Sequence, residues 1–278
     1  MIFKLLIPDL DLMETFSCGQ CFRWTYNQGK WEGVVDNCEA EVYFADSDVL
    51  NNILTVNVSQ KENTYSGSDV IKMWSNYFDI CTNYTKIKEN LMSIHPIIAE
   101  AVKKSNNIRI LRQDPWEALC SFIISQNNNI KRIKFIIQNL CICFGDKVVN
   151  KYSFPSYEKL ANLTLEDLKI LKAGFRANYI LDAARKISNN KVNFEEIKKF
   201  TIDKALKELY NIKGVGPKVA NCTLLYGFNR LDAFPIDTWM NKALKMYFPG
   251  KDSSFFGPFA GVAQQYIFNL IRNKRIQN

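Results

Sequence analysis

Residues 210–222 read Tyr-Asn-Ile-Lys-Gly-Val-Gly-Pro-Lys-Val-Ala-Asn-Cys. This is the end of one helix, a Gly-Val-Gly hairpin and the start of a second helix. Pro217 suits the first position of the second helix, where its missing N–H costs nothing. Gly214 and Gly216 let backbone approach a ligand with no Cβ in the way. The hairpin N–H groups and the helix N-terminus together offer a site for an anion such as a phosphate. Upstream, Ile202, Leu206 and Leu209 mark one face of the helix entering the hairpin.

Lys218 lies just inside the second helix. A nucleophilic role needs its unprotonated amine, and a helix N-terminus is a place that disfavours added positive charge. The alternative is a solvated lysine that touches only phosphate. Cys222, four residues on, shares its helix face. Asp237, in Phe-Pro-Ile-Asp-Thr-Trp, reads as the N-cap of a helix running toward Phe248. Hydrogen bonds from that helix end hold a carboxylate ionised, as stabilising a cationic sugar requires. An anion grip beside an amine and a carboxylate suits chemistry on the sugar of a nucleic-acid backbone.

Working outward, the chain divides into residues 1–79, expected to be a small antiparallel β domain, and 80–278, expected to be helical. Cys21–Tyr26, Lys30–Val35 and Glu39–Phe44 read as strands, the first two joined at Asn27-Gln28-Gly29. Asn63–Asp69 reads as a loop, with a helix from Val70. Asp114-Pro115 opens a helix through Ile124. Thr164-Leu-Glu-Asp starts another that stops at Gly174, and Arg176–Ile187 and Pro258–Arg272 supply two more. The fold class is α+β, a small sheet packed on a larger helical bundle.

Composition narrows the function. The formal net charge of +8 over 278 residues favours a polyanionic partner. No apolar run reaches the roughly 18–20 residues of a membrane span, and Asp9 and Asp11 break any signal-peptide layout. The chain is therefore expected to be intracellular, its eight cysteines reduced. Cys141 and Cys143 fall in an apolar helical stretch and read as core. No cysteine follows Cys222, which excludes a C-terminal four-cysteine iron–sulfur cluster. His95, before Pro96 in a helix-start turn, is the single histidine, so zinc triads and Ser-His-Asp triads are excluded.

The hairpin and Phe-Pro-Ile-Asp resemble the helix-hairpin-helix, Gly/Pro-Asp superfamily of DNA base-excision glycosylases. Within it the chain is similar to the 8-oxoguanine DNA glycosylases over nearly its whole length. The resemblance is carried by Ser17-Cys-Gly-Gln-Cys-Phe-Arg-Trp24, Arg112-Gln-Asp-Pro115, Ser125-Gln-Asn-Asn-Asn-Ile130, Gly174-Phe-Arg-Ala177, the hairpin with Lys218, Pro235-Ile-Asp237 and Ala260-Gly-Val-Ala-Gln264.

The resemblance implies a glycosylase domain with Lys218 as nucleophile on C1′ and Asp237 as stabiliser of the developing charge. A Schiff base and β-elimination would follow. Gly19 would read the N7–H of the oxidised base, Gln264 its edge, and Phe268 and Cys222 would sandwich the ring. Asn127 would fill the gap left by the extruded nucleotide. Arg132 and Arg176 would reach the orphaned cytosine, and Phe175 would wedge beside it. Read singly, each has a plainer role: Asn127 a helix C-cap, the arginines surface charges or phosphate contacts, Phe268 core, Gln264 an exposed polar residue, Gly19 a turn. The implied partner is double-stranded DNA containing 8-oxoguanine, bound by a monomer with no catalytic metal or redox cofactor and at most a structural cation at the hairpin.

Three departures stand out. Phe175 replaces a frequent tyrosine, Trp239 a frequent phosphate-contacting histidine, and Ile271 an acid near the pocket. Rival readings are a same-fold hydrolytic glycosylase for alkylated bases, which generally lacks the hairpin lysine, and a non-catalytic DNA-binding hairpin module.

Overall fold

The computed structural model describes residues 1–46, 48–61, 64–105 and 107–276, the side chains of 273–276 excepted. Five strands form one antiparallel sheet: β1 (Ile2–Leu6), β2 (Thr25–Asn27), β3 (Lys30–Val35), β4 (Cys38–Tyr43) and β5 (Ile53–Ser59), in the order β1-β5-β4-β3-β2. Two-residue turns set the register of β2–β3 and β3–β4, where Asn27 pairs with Lys30 and Val35 with Cys38. Strict alternation along β4 buries Cys38, Ala40 and Val42 on one face. Helix α1 (Leu12–Ser17) and helix α2 (Gly67–Tyr77) cover that face with Phe16, Trp74 and Tyr77. Trp24 stacks on Phe16 at 4.3 Å and donates its indole N–H to Tyr77 Oη at 2.7 Å.

Two expectations for this half are corrected. Of the Cys21–Tyr26 segment only Thr25 and Tyr26 are strand, within β2. Cys21 and Trp24 are drawn into the sheet's core and Phe22 into the helical core, so the backbone there follows the packing. Helix α2 begins at Gly67 because Ser66 accepts from Asp69 N, so the loop is shorter than Asn63–Asp69; Asn63 itself lies outside the described residues.

The helical half contains α3 (Tyr84–Ile94), α4 (Pro96–Lys104), α5 (Pro115–Ser125), α6 (Ile130–Phe144), α7 (Tyr157–Ala161), α8 (Arg176–Ser188), α9 (Phe194–Ile197), α10 (Ile202–Tyr210), α11 (Pro217–Gly227), α12 (Thr238–Tyr247) and α13 (Ala260–Ile276). Helix α5 is buried from Ala118 to Ile124 and packs extensively on α11, which makes this pair the axis of the body. Asp114, Asn129 and Asp237 cap α5, α6 and α12 as short polar side chains do. His95 caps α4 through Nδ1, which accepts from Ile97 N at 3.2 Å.

The segment opened by Thr164 is a short 3-10 turn, Asp167–Leu171. Thr164 and Asp167 cap each other, but Lys172 and Gly174 adopt positive φ and stop propagation. Cys141 is core, whereas Cys143, two residues on and hence on the opposite side of α6, is exposed.

The halves interlock. Buried Gln20 donates to Thr15 O at 3.0 Å and Arg109 O at 2.8 Å and accepts from Leu111 N at 2.9 Å. Arg23 and Glu117 form an ion pair at 2.8 Å across the junction. The loop after α1 is thereby fixed against α5 and α13, where the site lies.

Candidate active site

The hairpin joins α10 to α11. Gly214 has φ +76°, and a Cβ there would meet the Tyr179 ring at 2.2 Å, so backbone and ring touch only because the side chain is absent. Lys213 N donates to Asp182 Oδ2 at 2.7 Å, which pins the turn to α8. Gly216 is the N-cap of α11 and Pro217 follows it, so no side chain caps this helix end. Its first N–H groups are available to an external acceptor.

At the second residue of α11, Lys218 Nζ donates to Ser125 Oγ at 3.0 Å and stands 4.8 Å from the centre of the Phe122 ring. Ser125 in turn donates to Phe122 O at 2.8 Å. Its hydroxyl hydrogen is therefore committed, and its lone pairs face the amine. Cys222 is fully buried beside Lys218, and desolvation pushes its thiol up to about 11 despite the lysine's opposing charge. It is neutral at physiological pH.

Asp237 Oδ1 accepts from Trp239 N at 2.9 Å and Met240 N at 2.8 Å. The cap holds the carboxylate in place and leaves Oδ2 outside it. Lys218 and Asp237 open on one cleft of about 880 Å³, shared with Gly19, Asn127, Arg132 and Phe268. Ser125, Trp239 and Arg272 line it as well.

Gly19, at φ +90°, sits in a loop whose carbonyls are almost all taken. Arg272 donates to Ser17 O, Gln265 to Cys18 O and Gln113 to Gln20 O. Among the described residues the Gly19 carbonyl alone in this run receives no hydrogen bond. An unpaired acceptor at the cleft wall, gripped on both sides, is pre-organised to read a donor.

The remaining candidates fall around this centre. Cys222 lies behind Lys218 and Gln264 behind the wall; neither lines the cleft. Gln264 is buried with its Oε1 unpartnered, which sets aside the exposed-residue alternative. Asn127 is exposed at φ +49° just past the end of α5, so the C-cap geometry and the cleft position coincide. Arg132 is exposed, with one guanidinium nitrogen 3.3 Å from Lys172 O. Phe175 is 52% exposed, as a wedge must be.

Arg176, expected to reach the orphaned cytosine, is held here by carbonyls of the protein itself. It is buried, and its guanidinium donates to Gln126 O, Asn127 O and Ala173 O. In this state it braces the Asn127 turn, and reaching a base would require trading those carbonyls. Two groups at the centre were not singled out from sequence. Ser125 opens one of the motifs quoted above, but nothing in the sequence ties it to Lys218, which lies 93 residues away in another helix. Arg272 continues the spacing of four set by Gln264 and Phe268, a signal that was available.

A helix-hairpin-helix held against a capped aspartate, with a lysine between, defines the class. Residues 120–254 match the model of the HhH-GPD superfamily base excision DNA repair proteins. Residues 3–119 match the 8-oxoguanine DNA glycosylase N-terminal domain, and the chain belongs to the 8-oxoguanine DNA glycosylase family.

It is 31% identical over 260 residues to an N-glycosylase/DNA lyase of Saccharomyces cerevisiae, covering 85% of this chain and 68% of that one. The chain thus spans about two thirds of that relative. Among solved structures, MBOgg1 in complex with a low-affinity DNA ligand is 35% identical with a TM-score of 0.88, covering 99% of this chain and 96% of that one. The Clostridium acetobutylicum 8-oxoguanine glycosylase/lyase, in complex with double-stranded DNA containing cytosine opposite 8-oxoguanine, is 33% identical with a TM-score of 0.86, covering 99% and 98%.

Proposed function

We propose that this protein excises 8-oxoguanine paired with cytosine from double-stranded DNA and nicks the strand at the resulting site. The damaged nucleotide leaves the stack, because its sugar cannot be reached inside the duplex. The Lys218 amine attacks C1′ as the bond to the base breaks. The positive charge developing on the sugar is met by the Asp237 carboxylate, which costs no reorganisation because the helix cap already holds it. Ring opening gives a Schiff base between Lys218 and C1′, and loss of a C2′ proton expels the 3′ phosphate by β-elimination. Hydrolysis of the imine then returns the amine.

The Gly19 carbonyl accepts from N7–H, a donor that oxidation creates and guanine lacks. Phe268 packs on the base, with Cys222 and Gln264 completing the pocket once the base has entered. Asn127 occupies the vacated position in the duplex. Arg132 donates to the orphaned cytosine, and Arg176 holds the Asn127 turn until the duplex competes for it. Gly214 and Gly216 bring hairpin N–H groups to a phosphate.

The chemistry uses an amine and a carboxylate and calls for no metal or redox cofactor. A structural cation at the hairpin would have to share its carbonyls: Asn211 O already accepts from the Lys186 ammonium at 2.5 Å, and Ile212 O from Val215 N at 3.1 Å. No step depends on such an ion. No described helix is long and apolar enough to cross a membrane. We take the working unit to be a monomer on DNA.

The observation that carries this reading is the Lys218 amine and the Asp237 carboxylate opening on the same cleft as the unpaired Gly19 carbonyl. Borohydride trapping on a duplex with 8-oxoguanine opposite cytosine tests it. The wild type should give a covalent adduct and Lys218→Gln none. An adduct that persists in Lys218→Gln would remove the lysine from the mechanism.

A further inference from the structure

Helix α13 presents Gln264, Phe268 and Arg272 at a spacing of four, which places all three on one face. The first two are accounted for above; the third is not. Arg272 lines the cleft together with Gly19 and Phe268. One terminal nitrogen donates to Ser17 O at 2.5 Å, while its Nε is buried without a partner. No carboxylate pairs with it among the described residues. A guanidinium carries five N–H donors in a fixed plane, so most of its capacity is unspent. A buried donor left unpaired costs free energy unless something completes it.

The tether to Ser17 sets the guanidinium within the same short run that presents the Gly19 carbonyl. On the oxidised purine, the N7–H that this carbonyl would accept is flanked by two carbonyl oxygens, O6 and O8. An acceptor beside planar donors is the complement of that edge. We propose that Arg272 is a specificity-determining residue that donates to O6 or O8 of the extruded base while Gly19 accepts from N7–H. This rests on the substrate reading given above. It also assigns the unspent donors a ligand that is absent until the base enters.

Single-turnover excision by the full chain, wild type against Arg272→Met, tests the assignment. Methionine preserves length and stem packing and removes every donor. Excision of 8-oxoguanine opposite cytosine should fall about 10- to 100-fold, the range for one hydrogen bond from a charged donor. Nicking of a preformed abasic site, which has no base to read, should stay within about twofold.

Two further substrates separate reading from tethering. In 8-thioguanine and in 6-thio-8-oxoguanine one oxygen is replaced by the weaker acceptor sulfur. The penalty of Arg272→Met should shrink on whichever analogue has lost the contacted oxygen, and this identifies it. An equal penalty on all three bases, an equal loss of abasic-site nicking, or no penalty at all would overturn the assignment. Failure of the wild type on 8-oxoguanine would instead overturn the substrate reading, and this inference with it.

Discussion

Asp237 is a helix cap and, in the proposed function, also the carboxylate that meets the charge on the sugar; substitutions can separate the two roles. Its Oδ1 closes the first turn of α12 by accepting from Trp239 N and Met240 N. Asparagine keeps a carbonyl oxygen for that cap but loses the charge. Asp237→Asn should therefore unfold within about 0.5 kcal/mol of wild type, whereas Asp237→Ala should lose about 1 kcal/mol more. Both should slow base excision by about 100-fold or more, because the charge facing the sugar is gone. Urea melts beside single-turnover assays make the comparison, and an active Asp237→Asn would reduce the residue to a cap. Ser125 is expected to act through orientation. Ser125→Ala removes the acceptor at 3.0 Å from Lys218 Nζ, so the borohydride adduct should still form but about tenfold more slowly. The thiols offer a check on the packing itself. Burial raises Cys18, Cys38, Cys141 and Cys222 to about 11 and lifts Cys21 and Cys120 well above the ordinary thiol value, while Cys81 and Cys143 are exposed. Thiolates are the reacting species. Iodoacetamide at pH 8 (about) should label Cys81 and Cys143 first in the native protein, as peptide mapping would report.

At the scale of elements, the hairpin between α10 and α11 makes a sharp distinction between its two glycines. Gly214 combines φ +76° with a Tyr179 ring 2.2 Å from any added Cβ, whereas a Cβ on Gly216 would meet nothing within 4 Å. Gly214→Ala should cost upwards of about 1 kcal/mol and lower the melting temperature. Gly216→Ala should melt like wild type yet bind DNA more weakly, since the proposed function has this position let a phosphate approach. Calorimetry with fluorescence anisotropy reads both; an unaltered affinity for Gly216→Ala would remove that approach from the interface. The same hairpin shows what a sequence can announce. Pro217, the two glycines and the Asp237 cap are local signals, and they placed α11 and α12 correctly. Asp114-Pro115 did the same for α5. Strand β1 carried no such signal: its side chains are mostly exposed, and it exists because it pairs with β5. The strand expected at Cys21–Tyr26 failed for the opposite reason, since tertiary burial of Phe22 and Trp24 overrode their β propensity. The unpaired Gly19 carbonyl was illegible as such, because it is defined by side chains from Gln113, Gln265 and Arg272 taking its neighbours.

For the whole molecule, dividing the work between a surface that meets phosphates and a pocket that meets the base has a measurable consequence. The chain carries a net +8, and binding any duplex releases the counterions of each phosphate it neutralises. Affinity for undamaged DNA should therefore fall linearly on a log–log plot against salt, with a slope of about −0.9 for each phosphate contact. In the proposed function, the step from undamaged to lesion DNA adds contacts of another kind: the Gly19 carbonyl, the Phe268 ring, the Gln264 amide, the Arg272 guanidinium and the burial of Cys222 beside them. None of these displaces a phosphate counterion. The two plots, taken for the Lys218→Gln protein so that no chemistry intervenes, should run parallel, the lesion curve displaced toward tighter binding by a constant amount. The displacement measures the base pocket, and the common slope measures the hairpin and the surrounding basic surface. If the lesion curve were markedly steeper, extra phosphate contacts formed on extrusion would be supplying the discrimination, and the division of labour between pocket and surface would be wrong.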